Sequence, residues 1–206
     1  MTTAQTLKNK IQNIERGKLF SSRKFLELGS NRATIDKALS RMVEKGEIKR
    51  ASRGIFFRPK KNKFIGNVPA KVESVIDVIA RQNKEIIQVH GAEAARQFQL
   101  STQMPIGRVF YTNGATRKIK VSNTVVQMIH TSNQRKLQYA GTKVGTAISA
   151  LWYLGKELVT PSVIIKLRSN LTIEEFQKLK NAKLTVWMKK AINEVECCGG
   201  KNDIIL

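Results

Sequence analysis

Three apolar stripes in helical register open the chain. Leu7, Ile11 and Ile14 share one face and the run ends at Gly17, which predicts a first amphipathic helix. In "SSRKFLELG", Ser21 is placed to cap a second helix, Phe25 and Leu28 form its buried pair, and Gly29 stops it. Ile35, Ala38, Leu39, Met42 and Val43 make the third stripe, behind a cap at Ser30 or Asn31 and before a terminating Gly46. The period then changes. "EIKRA" and "GIFFRPK" are rich in β-formers and flank Ser52-Arg53-Gly54, which reads as a tight turn between two strands. Pro59 and "KKNK" end this unit, and Lys60 to Val68 reads as a linker closed by Pro69.

The pattern beyond the linker is mixed. "PAKVESVIDVIARQN" carries Val72, Val75, Ile76 and Ile79 on one helical face, "EIIQVH" is a short strand, and "GAEAARQFQL" a helix. Asn113-Gly114 lies between two β-rich runs, a pairing that favours a two-residue hairpin turn, and Ser122-Asn123 suggests a second. A three-stranded antiparallel meander is therefore expected. Helices are expected over 142–157, 161–168, 172–180 and 185–196. Pro161 suits a first turn, and Thr172 with Glu175 forms a capping box. The predicted fold class is α+β: a three-helix unit with a hairpin over 1–62, and over 67–206 a second α+β domain with a small meander and C-terminal helices.

Composition adds a charge that the pattern alone does not show. The 206 residues hold 37 Lys and Arg against 15 Asp and Glu, a net +22. Residues 1–66 alone hold 17 basic and 5 acidic side chains. Such a field attracts polyanions, nucleic acid or an anionic membrane. No apolar run approaches the roughly 18 residues of a spanning helix, and "MTTAQTLKNKIQNIERGK" lacks the apolar core of a secretory signal. The two cysteines, Cys197 and Cys198, are adjacent and would pair only through a strained ring, so reduced thiols are expected. A cytoplasmic protein that faces nucleic acid, not membrane, follows as the expectation.

Three short helices and a two-stranded hairpin, in that order, make a winged helix-turn-helix. Its third helix buries one stripe and offers the other to a major groove. Here the free face carries Ala33, Thr34, Lys37, Ser40 and Arg41, with Arg32 at its margin. Lys49, Arg50, Arg53 and Arg58 decorate the hairpin, and an arginine at its turn reaches phosphates or a minor groove. Each cation taken singly also reads as a solvated surface charge. The order of cap, stripe, glycine stop and basic hairpin is more specific. The candidate DNA-binding residues are Arg32, Thr34, Lys37, Ser40, Arg41, Lys49, Arg50, Arg53 and Gly54.

"ALSRMVEKGEIKRASRGIFFRPK" together with "VFYTNGATRKIKVSN" resembles the AbiEi-type antitoxins of bacterial type IV toxin–antitoxin systems and their relatives of unassigned function. The resemblance covers the wing well, the "NGATRK" region moderately, and fades through the C-terminal third. It implies a winged helix that binds inverted repeats in its own promoter, joined to an antitoxin domain. It also implies a functional partner, a nucleotidyltransferase-like toxin encoded alongside, countered without a stable complex. Only "KRASRG" (Lys49, Arg50, Arg53, Gly54) and the preceding helix carry the family's expected DNA contacts.

Other chemistry is thinner. "GTKVGTAIS" has glycines, but its lysine is misplaced for a phosphate loop. His90, His130 and the cysteine pair match no common zinc spacing, and Glu157, Glu174, Glu175, Glu194 and Glu196 are spread along helices. No enzymatic activity, metal or cofactor is expected. Arg117, Lys118 and Lys120, with Arg135, Lys136 and Lys143 further on, form either a second polyanion surface or a solvated rim. Trp152 and Tyr153 read as core or as a stacking platform, and the cysteines as a frayed end or a redox switch. Two rivals therefore stand beside the autoregulating antitoxin: a stand-alone winged-helix repressor and an RNA-binding accessory protein.

Overall fold

The structure is a computed structural model that describes residues 2–29, 31–64, 66–103 and 107–199, with side chains to Val195. The chain folds as two compact units, Met1–Lys84 with Ile119–Val125, and Glu85–Lys118 with Val126–Leu206. The class is α+β, as the pattern predicts.

The first unit opens with α1 (Thr3–Gln12), β1 (Leu19–Ser21), a 3₁₀ helix (Ser22–Leu28) and α2 (Arg32–Glu44). Strands β2 (Lys49–Ser52) and β3 (Ile55–Phe57) follow, and the sheet order is β1-β3-β2. Each predicted stripe is buried: Leu7 and Ile11 from α1, Phe25 from the 3₁₀ helix, Ile35, Leu39 and Met42 from α2, against Ile48 and Phe56. The caps form as read. Ser21 Oγ accepts from Arg23 N at 3.1 Å, and Asn31 Oδ1 accepts from Ala33 N at 3.1 Å. Ser30, the alternative cap, lies outside the described residues.

Two features depart from the pattern. The second helix is a 3₁₀ helix, since one short stripe ends at once in Gly29, whose φ of 69° is left-handed. And "LFS" forms β1, pairing antiparallel with β3 through Leu19–Phe57, Phe20–Phe56 and Ser21–Ile55. Three residues are too few to show a period. The expected linker is also structured. It holds a small hairpin, β4 (Lys61–Asn62) with β5 (Gly66–Asn67), before α3 (Val72–Asn83), which packs on β1. The division between units therefore falls after α3 and not at Lys60–Val68.

The second unit contains β6 (Ile87–Val89), α4 (Gly91–Gln97) and β7 (Arg108–Thr112). Next along the chain are β8 (Arg117–Val121) and β9 (Thr124–His130), whose residues 119–121 and 124–125 belong to the first unit. Then, in the second, come a 3₁₀ helix (Gln134–Leu137), α5 (Lys143–Leu158), α6 (Pro161–Asn170), α7 (Ile173–Lys180) and α8 (Val186–Gly199). The sheet order is β6-β7-β9-β8, and β7 runs parallel to β9. The three expected strands exist, but they are not a simple meander. Neither Asn113 nor Gly114 takes the left-handed φ of the expected hairpin turn. Instead Asn113 Oδ1 accepts from Ile86 N at 2.8 Å, and a Cβ on Gly114 would lie 2.5 Å from Glu85 Cδ. Interactions with residues distant in sequence override the turn signal. The Ser122–Asn123 turn does join β8 to β9, with Ser122 at φ 51°.

The four C-terminal helices match their predicted bounds closely. Ala147, Ile148 and Leu151 of α5, Ile164 and Leu167 of α6, Phe176 and Leu179 of α7, and Met188 and Ile192 of α8 share one core with α4. The capping box is present, with Glu175 N donating to Thr172 Oγ1 at 3.2 Å and Thr172 N to Glu175 Oε2 at 3.0 Å. Trp152 packs on this core, as its core reading requires. The end expected to fray begins inside α8, and the side chains of Cys197 and Cys198 and all of Gly200 lie outside the described residues.

Candidate nucleic-acid interface

Helix α2 is 13 residues long, about 20 Å at 1.5 Å per residue, against a B-DNA major groove about 12 Å wide. Burying Ile35, Leu39 and Met42 turns the opposite face outward. Arg32, Ala33, Thr34, Lys37 and Arg41 are exposed and Ser40 is half-buried. The helix N-terminus adds a partial positive charge, its Ala33 N–H already taken up by the Asn31 cap. Arg32 is partly neutralised, its Nε lying 3.7 Å from Asp36 Oδ2, although both side chains remain exposed.

The wing is a real hairpin. Its tip needs Gly54 at φ 74°, and Ser22 N donates to Gly54 O at 3.0 Å, tying the turn to the start of the 3₁₀ helix. Lys49, Arg50 and Arg53 are exposed around it. Among the described residues no ion pair holds Lys37, Arg41, Lys49 or Arg53. Arg50 joins the two halves of the surface. Its Nη2 donates to Ser40 Oγ at 3.4 Å, and its guanidinium lies 5.3 Å from the centre of the Phe56 ring. The nine candidate residues thus sit on two elements of one unit, α2 and the wing.

Arg58 does not belong with them. Its Nη1 donates to the main-chain oxygens of Gln12 and Ile14, so it fixes the end of α1. Nothing in its sequence position separates it from Arg53. A further contact escaped the pattern: the register of β2 shifts between Arg50 and Ser52, and Ser122 N donates to Ala51 O there at 2.9 Å. The Ile119–Val125 tip, with Lys120 exposed, therefore lies beside the wing strand.

Of the six cations of the possible second surface, Arg117 and Lys136 have partners of their own. Arg117 is ion-paired to Glu85, which also accepts from Thr112 Oγ1 at 3.3 Å. Lys136 Nζ lies 5.2 Å from the centres of both the Tyr111 and Trp152 rings, a cation–π setting. Lys118, Lys120, Arg135 and Lys143 are exposed, Lys118 and Lys120 lying two residues apart on β8. His90 caps α4, Nδ1 accepting from Ala92 N at 3.3 Å, while burial and then the Lys136 charge hold its pKa below the usual value. His130 Nδ1 lies 2.8 Å from Gly114 O. Both histidines have structural contacts.

Among the described residues no group of three or more His, Cys, Asp or Glu could hold a metal ion, and no helix is long and apolar enough to cross a membrane. No curated protein matches the chain. A protein-family match does extend over residues 6–179, from α1 through the wing and the second sheet to α7. The chain belongs to this family, DUF6088, a family of unknown function.

Proposed function

We propose that the first unit binds double-stranded DNA and that the chain is a sequence-specific transcription regulator without enzymatic activity. One observation carries the reading: an unpaired, exposed Thr34–Lys37–Arg41 face on α2 beside the wing cations Lys49, Arg50 and Arg53. In this reading α2 meets base edges while the wing neutralises phosphates. Binding of Lys37→Ala and Arg41→Ala to a panel of single-base operator variants tests it. Loss of preference at one base pair marks a base contact, and a uniform loss marks a phosphate contact. Unchanged binding by both variants refutes α2 as the reading helix.

The resemblance to AbiEi-type antitoxins extends the proposal. The chain would repress its own promoter through inverted repeats and, in the cytoplasm, counter a nucleotidyltransferase-like toxin without a stable complex. Co-expression with a neighbouring toxin gene tests this: rescue by the full chain and not by residues 1–84 supports the antitoxin role. No rescue leaves a stand-alone repressor. Competition between duplex DNA and structured RNA separates both from RNA binding.

A further inference from the structure

The most exposed large apolar side chain among the described residues is Phe64, 95% exposed, in the β4–β5 hairpin. Its surroundings are basic and held in place. Lys61 pairs with Asn67 and Asn62 with Gly66, and Val68 N donates to Lys60 O at 2.9 Å to close the base. Phe64 N donates to Asn62 Oδ1 at 2.8 Å, which shapes the turn. The Lys60 stem lies against Gly17, where an added Cβ would come within 2.9 Å of Lys60 Cε, and Lys60 Nζ is 3.8 Å from Glu15 Oε1. Lys61 and Lys63 are exposed with no acidic partner among the described residues.

We infer that this hairpin is a second DNA arm, whose Phe64 ring wedges against or between bases while Lys61 and Lys63 hold the flanking phosphates. The inference rests on the DNA-binding reading of the first unit and deepens it. An aromatic ring with no cover of its own stacks on any base, and insertion of an apolar wedge unstacks a step and bends the duplex. A second copy of the chain is the poorer occupant, because the same hairpin would bring like charges together.

The test uses full-length protein and duplexes from the chain's own upstream DNA, with an unstacking-sensitive fluorescent base walked along one strand and dyes at the ends to report bending. Wild type is expected to brighten the probe at one step and to shorten the end-to-end distance. Phe64→Ala is expected to lose both signals and about fivefold in affinity. Being fully exposed, the position tolerates alanine without loss of fold, and a matching melting temperature confirms that. Lys61→Ala combined with Lys63→Ala should reduce the salt slope by up to about 1.8, two phosphates' share. Identical signals from wild type and Phe64→Ala, with duplex binding intact, overturn the arm alone. Absence of duplex binding by wild type overturns the DNA reading as well. A Phe64-dependent dimer, or Phe64-dependent binding to anionic vesicles, with DNA signals unchanged, overturns the arm in favour of those partners.

Discussion

Arg58→Ala removes a guanidinium that donates to Gln12 O and, at 2.7 Å, to Ile14 O. These carbonyls lie at the C-terminal end of α1, where the helix leaves oxygens without internal partners and carries its negative pole. A hydrogen bond to a charged group is worth about 1.5–3 kcal/mol. Both bonds come from one nitrogen, so they do not count twice, while the dipole adds about 0.3–1 kcal/mol. The expected loss is about 2–3 kcal/mol, discounted little because Arg58 is half-buried. For a unit of this size each kcal/mol moves the melting point by about 4–8 °C, so the first unit should melt about 8–24 °C lower. Thermal and urea unfolding measure the stability, and DNA binding across a salt series is measured well below the new midpoint. The salt slope should be unchanged. An unchanged midpoint with a slope shallower by about 0.9 would refute the reasoning and return Arg58 to the DNA surface.

Arg53→Ala should behave in the opposite way: stability within about 0.5 kcal/mol of wild type and a salt slope reduced by about 0.9 if it meets one phosphate; an unchanged slope and affinity would remove it from the interface. Gly91→Ala should destabilise the second unit by about 1–3 kcal/mol or more in urea unfolding, because the new Cβ would lie 2.2 Å from Tyr153 Cβ and 2.7 Å from Ser149 O. His90, held below its usual value of 6.5 by burial and Lys136, contributes stability that is complete above about pH 6.5 and is lost as pH falls from there to its lowered folded value. Over that window His90→Gln should show a shallower acid loss than wild type, and equal losses would count against this origin.

Much of the architecture was legible because long stripes survive their surroundings. The α2 face spans more than three turns and ends at a glycine with φ 70°, so both its buried side and its free side follow from spacing. The Thr172–Glu175 box depends only on neighbours in sequence, and it forms as read. What was not legible depends on distant partners. Asn113-Gly114 carries a strong turn signal, but Ile86 N and Glu85 claim the two residues for another purpose. β1 exists because β3 offers it an edge, not because "LFS" has a period. Arg53 and Arg58 are alike in sequence, five residues apart in one basic hairpin. Only the carbonyls of α1 distinguish the structural cation from the free one. Phe64 was hidden for the same reason, since exposure of an aromatic beside lysines reads from sequence as an ordinary linker.

The central claim is that α2 and the wing select a DNA sequence. Binding of the purified chain to its own upstream duplex and to a scrambled duplex of equal length, across a salt series, tests it most directly. A preference for the upstream duplex that persists at moderate salt is expected, with parallel losses for both as phosphate contacts are screened. Equal affinities that collapse together as salt rises would contradict it, leaving a basic surface that binds any polyanion.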